Sequence, residues 1–278
     1  MNETIEQSQS IIQRAIANLN PYAILVMVSG GSDSLTAYTV ARELGVSISG
    51  IAHVVTGTGI PETTDWVRQW AAKQPYPYYE ANAGDAYERY VLRKGFLGRG
   101  ERAHAYAYHI LKAEYFRKLI SKNFRQRKRG RRILLINGAR SSESENRMFK
   151  LDNQDIQQEG RNQNYWANLI RHWDKNTCYQ YLGEKGVQIN TVSQVLHRSG
   201  ECMCGPTQSP EERKEASFWY PQWGAWLDDL ERQVKRKYHW GWGENIPKGF
   251  AQEKAGQMPL PGFRPMCSSC ALHQEKNA

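Results

Sequence analysis

Apolar residues at Ile11, Ile12, Ala15, Ile16 and Leu19 have the spacing of one face of an amphipathic helix, which Pro21 ends. The next run, Ala23–Val28, is continuously apolar and rich in branched side chains. That pattern predicts a strand buried on both faces, as in a parallel sheet. A glycine turn follows at Ser29–Ser34, then a helix over Ser34–Gly45 with Gly45 as its stop. Ile48–Val55 predicts a second strand, Pro61–Lys73 a helix with proline at its first turn, and Pro77–Ala81 a third strand. Asp85–Lys122 has a helical pattern broken at Gly95–Gly100, and Ile133–Asn137 is another short apolar strand. Strands alternating with helices predict an α/β fold: a mainly parallel twisted sheet with helices on both faces.

The pattern changes near Val187. A helix is expected over Asn190–Leu196, and a second begins at Ser209, where Ser209 and Glu212 have capping-box spacing and Pro210 opens the first turn. Trp219, Trp223 and Trp226 fall on one helical face and are expected to pack in the core, or else to shield a metal centre from water or stack on a base. Gly241–Met266 is rich in Gly and Pro and reads as loop. The expected division is a nucleotide-binding domain at 1–186 and a helical, cysteine-bearing C-terminal region at 187–278. No apolar run approaches the roughly 18 residues of a membrane helix. The polar start MNETIEQSQS is neither signal-like nor transit-like, so the cytoplasm is the expected location.

The formal net charge is +9, from 37 basic and 28 acidic residues. Nine of the basic residues, and no acid, fall in Arg117–Arg132; outside that segment the two signs balance. The segment suits the phosphates of a nucleotide or of DNA, or is a solvated loop. Four of the five cysteines form two close pairs, Cys202/Cys204 and Cys267/Cys270. In a reducing compartment such pairs point to a metal or redox role, and iron–sulfur and zinc both accept four thiolates. Cys178 lies on a predicted helix and is expected in the core.

The strand–SGGSDS–helix unit carries the most chemistry. Gly30 and Gly31 let an anion approach the backbone, and the helix start offers free N–H groups and a positive dipole end. Ser29, Ser32 and Ser34 add hydroxyls. Neither a Walker lysine nor a G-x-G-x-x-G pattern is present. Asp33 either orients the loop and helps hold Mg²⁺, or acts as a plain N-terminal helix acid. Arg140, directly after a strand, has the position of a phosphate or sulfate fork.

SGGSDS resembles the SGGxDS loop of the PP-loop superfamily, whose members bind ATP or adenylyl-sulfate nucleotides on an adenine nucleotide α-hydrolase-like fold. TGTGIPET (Thr56–Thr63), GARSSESENR (Gly138–Arg147) and NLIRHWDKNTCYQYL (Asn168–Leu182) resemble, in the same order, three segments of phosphoadenosine phosphosulfate (PAPS) reductases. Val55 and Leu169 depart from that pattern. The resemblance implies nucleotide contacts at Ser29, Gly30, Gly31, Ser32, Ser34, Thr56, Gly57, Glu62, Lys112, Glu143 and Arg147, and catalytic roles for Asp33, Arg140 and Cys270. Glu62 is otherwise a helix-capping acid, Lys112 a solvated lysine, and Glu143 and Arg147 a plain ion pair.

Gly95–Lys112 and SGECMCG (Ser199–Gly205) are similar to the PAPS-reductase-like branch that serves DNA phosphorothioation, of DndC and SspD type. That branch implies an enzyme that uses ATP with Mg²⁺, adenylylates a DNA phosphate oxygen and accepts sulfur from a cysteine desulfurase or another donor. It also favours a 4Fe-4S cluster on Cys202, Cys204, Cys267 and Cys270, with zinc as the alternative. The C-A-L-H tail at Cys270–His273 resembles part of the reductase signature instead. It implies a nucleophilic Cys270, release of sulfite and help from thioredoxin. The third reading is a non-catalytic nucleotide- or DNA-binding module.

Overall fold

The computed structural model describes residues 2–125, 131–143, 154–159, 163–247 and 250. Helix α1 (Asn2–Leu19) leads into strand β1 (Ala23–Met27), α2 (Ser32–Glu43), β2 (Gly50–Val55), α3 (Pro61–Ala71) and β3 (Tyr78–Asn82). The order continues with α4 (Ala86–Lys94), α5 (Glu101–Tyr108), a π-helical turn (His109–Ala113), α6 (Glu114–Phe124) and β4 (Ile133–Asn137). A 3₁₀ turn (Ser141–Glu143) precedes β5 (Ile156–Gln158) and β6 (Asn164–Asn168). The last helices are α7 (Lys175–Glu184), α8 (Thr191–Leu196), α9 (Pro210–Trp219) and α10 (Pro221–Lys235).

The six strands lie in the order β3-β2-β1-β4-β6-β5, all parallel except β5, which runs antiparallel to β6. One face of the sheet is covered by residues of α1, α2 and α7, including Ile11, Leu35, Tyr38, Tyr181 and Leu182. On the other face, Phe116, Leu119, Ile120 and Phe124 of α6 pack on Leu25, Ala52 and Leu135. Covered on both faces, β1 and β4 carry continuous apolar runs, as the sequence pattern requires.

The chain leaves β1 toward β2 and β3 on one side, and β4 and β6 lie on the other. The order reverses between β1 and β4, so the loops at their carboxyl ends diverge and leave a crevice, the usual ligand position in open α/β sheets. No helix among the described residues is long and apolar enough to cross a membrane.

One compact unit runs through Glu244. Residues 187–244 therefore belong with the α/β body, whereas the sequence suggests a break near 186. The capping box at Ser209 and Glu212 is present with both hydrogen bonds. The tryptophans do not share one face. Pro221 disfavours helical backbone at the residue before it, and Tyr220 (φ −128°, ψ 71°) separates α9 from α10. Trp219 is left exposed on α9, while Trp223 is buried on α10.

Candidate active site

The loop at the carboxyl end of β1 is tied to its own helix. The Ser34 hydroxyl accepts the Ser29 N–H (3.2 Å) and donates to the Gly31 carbonyl (2.8 Å). Gly30 has φ +80°, a conformation that side chains disfavour. Gly31 is the N-cap of α2, whose first N–H groups have no intrahelical acceptor. The loop opens on a cleft of ≈ 1140 Å³ lined by Ser29, Gly31, Ser32, Asp33 and Ser34 from this side. From elsewhere the cleft receives His53, Lys112, Arg140, Trp166, Lys175, Arg198 and Glu201. Four cations against two carboxylates favour an anionic ligand.

Asp33 is the centre of the charged groups. Arg140 Nη2 lies 3.2 Å from one carboxylate oxygen and Lys175 Nζ 3.1 Å from the other. Lys175 Nζ also donates to the Ser32 hydroxyl at 2.7 Å. Arg140 is committed more deeply than its sequence position implies. Its Nη1 donates to Ser142 Oγ (2.9 Å), Ser142 donates on to the Trp173 carbonyl (3.1 Å), and the Arg140 side chain is only 5% exposed. Both guanidinium ends are engaged with protein, so the side chain anchors Asp33 and does not present a free fork.

Thr56, Gly57 and Glu62 do not line the cleft. Thr56 is buried; its N–H donates to Glu201 Oε1 (2.8 Å) and its hydroxyl to the Glu201 carbonyl (2.6 Å). A Cβ on Gly57 would lie 2.1 Å from the Gly84 carbonyl oxygen, and one on Gly59 2.5 Å from that of Glu201. The segment after β2 thus clamps the loop 199–204. Thr63 Oγ1 donates to the Ser199 carbonyl (2.7 Å), the Ile60 N–H to that of Gly200 (2.9 Å), and the Met203 N–H to Thr58 Oγ1 (3.1 Å). Glu62 is exposed in the first turn of α3, the place of a helix-dipole acid.

The clamp delivers Cys202 and Cys204 to the protein interior, Cys204 being 1% exposed. Their sulfurs are 3.7 Å apart. The hydrogen bond between them, aided by Lys112, outweighs burial and pulls Cys202 down to about 6. The same bond, with burial, pushes Cys204 well up. Lys112, on the π-helical turn, is disfavoured by burial, but Cys202, Glu201 and Cys204 more than offset this and raise it. Cys178 is a core residue whose thiol burial pushes up to about 12. The Glu143 side chain, Arg147, Cys267 and Cys270 lie outside the described residues.

Lys175, Glu201 and His53 are missed by sequence reading. His53 is buried; its Nδ1–H donates to the Val28 carbonyl (2.7 Å) and Nε2 faces Glu201 Oε2 at 3.3 Å. Only the crossing of β2 by the 199–204 loop unites these two. A signal for Lys175 existed: a cation directly after the N-cap Asp174 opposes the helix dipole.

Among solved structures, Candida glabrata FMN adenylyltransferase in complex with FAD and inorganic pyrophosphate is similar over 90% of this chain and 80% of that one. The identity is 13% and the TM-score 0.51, a likeness of fold. A Candida auris PAPS reductase phosphate complex matches at 16% identity, covering 67% of this chain and 83% of the other, with TM-score 0.48. U34-tRNA thiolase NcsA from Methanococcus maripaludis, with its [4Fe-4S] cluster, matches at 12% identity and TM-score 0.48 over 95% of this chain and 90% of that one. Among curated protein sequences none matches. A profile of the phosphoadenosine phosphosulfate reductase domain matches residues 23–204, which span β1, the phosphate loop, the rest of the sheet and the clamped cysteine loop. The chain belongs to the phosphoadenosine phosphosulfate reductase domain family, within the PP-loop superfamily.

Proposed function

We propose that this chain cleaves ATP between the α- and β-phosphates and adenylylates an acceptor for sulfur transfer, the acceptor being a DNA phosphate as in phosphorothioation. The observation that carries the reading is the lysine-free glycine–serine loop, set at the strand-order reversal and faced by Asp33, Lys175 and Arg140. Backbone N–H groups and a helix start bind phosphates there without a lysine in the loop itself. The acceptor oxygen attacks the α-phosphorus, the α–β bridging bond breaks, and pyrophosphate leaves. A persulfide on a partner protein then displaces AMP. A second thiol cleaves the persulfide, leaving sulfur on the acceptor and a disulfide behind. Asp33 would hold the Mg²⁺ that offsets phosphate charge, once nucleotide draws Lys175 off it.

Cys202 and Cys204 fit a shared metal centre. Bonds of about 2.3 Å at one tetrahedral ion place two thiolates about 3.8 Å apart, close to the observed 3.7 Å; a 4Fe-4S cluster binds each thiolate on a different iron, so the pair would have to open to hold one. Among the described residues no group of three metal-binding side chains exists. Cys267 and Cys270 would complete the set, as a 4Fe-4S site or a zinc site. A cluster would supply redox capacity or sulfur-binding iron; zinc would supply a structural tie.

The second reading, a PAPS or adenylyl-sulfate reductase with Cys270 as nucleophile and thioredoxin as partner, is favoured by the C-A-L-H tail. One assay separates the two. Purified protein with Mg²⁺, ATP and single- or double-stranded DNA is expected to release pyrophosphate, and Asp33→Ala to abolish release. Sulfite from PAPS, with no pyrophosphate from ATP, would establish the reductase instead.

A further inference from the structure

We propose that Lys175 is the triphosphate-binding cation of this site, parked on Asp33 and Ser32 until the β- and γ-phosphates take it over. The inference rests on the ATP reading. The loop Ser29–Ser34 carries no basic residue, and a helix N-terminus supplies only about half a unit charge. A further cation must meet the anion, and the four that line the cleft are not equivalent. Arg198 is paired with Glu212 and Glu215. Lys112 lies among Cys202, Glu201 and Cys204. Arg140 is 5% exposed with both ends engaged. Lys175 alone among them touches the loop while 36% of its side chain faces solvent.

Its position in the chain breaks a local rule. Lys175 is the first residue of α7, where the dipole disfavours a positive charge. Asp174, the N-cap, spends its carboxylate on the Thr177 N–H (2.8 Å) and hydroxyl (2.6 Å). Within its own helix the ammonium meets only the Tyr179 ring, at 5.1 Å; the carboxylate that balances it is Asp33, across the cleft. Local rules broken in this way mark functional positions. Because α7 follows β6, its start lies at the carboxyl end of the sheet, level with the phosphate loop. A lysine suits the exchange: three rotatable donors on a flexible stem can keep Ser32 while turning from a carboxylate to a phosphate. AMP lacks the two phosphates concerned, so Lys175 distinguishes ATP from AMP.

The test is direct titration of the full chain with ATP and with AMP, both with Mg²⁺, comparing wild type, Lys175→Met and Lys175→Arg, with thermal melts of each. Loss of one charge-assisted contact is expected to weaken ATP binding about 10- to 100-fold in Lys175→Met. AMP binding should change less than about threefold, and Lys175→Arg should recover part of the loss. ATP bound equally by wild type and Lys175→Met overturns the inference and leaves the nucleotide reading standing. Equal losses for ATP and AMP with a lowered melt assign Lys175 a structural role and also overturn it. Wild-type protein that binds neither nucleotide overturns the ATP reading itself.

Discussion

Gly138 shows how little room a single position can have. A Cβ there would lie 2.5 Å from the Asp33 carbonyl carbon and 2.6 Å from the Ser34 nitrogen, all backbone atoms that cannot rotate away. The residue after β4 is glycine because the start of α2 presses against it. Gly138→Ala is expected to cost about 1–3 kcal/mol of stability, the usual cost of overpacking, and to weaken nucleotide binding by displacing Asp33. Denaturant unfolding and titration read the two effects; wild-type values in both would show that the close approach is dispensable. The sequence marks Gly138 only as part of a motif. The reason for glycine appears once β4 and α2, about a hundred residues apart, are seen to touch.

The cysteine loop has no regular structure of its own and depends on its neighbours for shape. Glu201 gives it rigidity: its side chain meets Thr56, Thr64 and His53, and its carbonyl accepts the Thr56 hydroxyl. Trp223 of α10 closes the far side by donating to the Thr58 carbonyl at 3.0 Å. Trp242 donates to the Met203 carbonyl at 2.9 Å. The tryptophan-rich region thus braces the segment that carries Cys202 and Cys204, which supports a metal centre held by a rigid outer shell. Anaerobically purified protein is expected to contain iron and acid-labile sulfide, and Cys202→Ser to lose them. Cys178→Ser should keep them, because Cys178 sits in the core on α7. Stoichiometric zinc without iron would replace the cluster with a structural ion and leave the ligands in place.

At the scale of the molecule, the sheet separates two charges that the sequence leaves ambiguous. Arg131 stacks on Tyr22 at 3.6 Å, and the Arg132 carbonyl accepts the Tyr22 N–H at 2.9 Å. Both pairs lie at the amino ends of β1 and β4. Arg125 reaches Asn164 at the amino end of β6 (2.6 Å). The phosphate loop lies at the opposite ends of the same strands. Five residues at about 3.3 Å each put roughly 17 Å between them, beyond the screening length of about 10 Å at 0.1 M salt. Arg125, Arg131 and Arg132 therefore do not balance a nucleotide in the cleft. Replacing Arg125, Arg127, Lys128, Arg129, Arg131 and Arg132 by Gln should leave ATP affinity within about twofold, since screened charges at that range contribute little. Duplex DNA binding, with a log–log salt slope of magnitude about 3–5, should be lost in the same variant. A tenfold loss of ATP affinity would place the segment at the nucleotide site.

What the sequence determined by itself was whatever depends on neighbours along the chain. The buried runs of β1 and β4, the glycine turn, the proline starts of α3 and α9 and the Ser209 capping box all follow from local patterning, and they suffice for the α/β class. The tertiary structure decided which charges meet. Asp33, Arg140 and Lys175 come from three strand–helix junctions far apart in sequence, and only the parallel order β1-β4-β6 brings their carboxyl ends together. It also set Thr56 and Gly57 in the clamp on residues 199–204. Local rules state what each segment becomes. Coulomb energy and hydrogen bonding act through space, so the identity of each partner waits on the packing of the sheet.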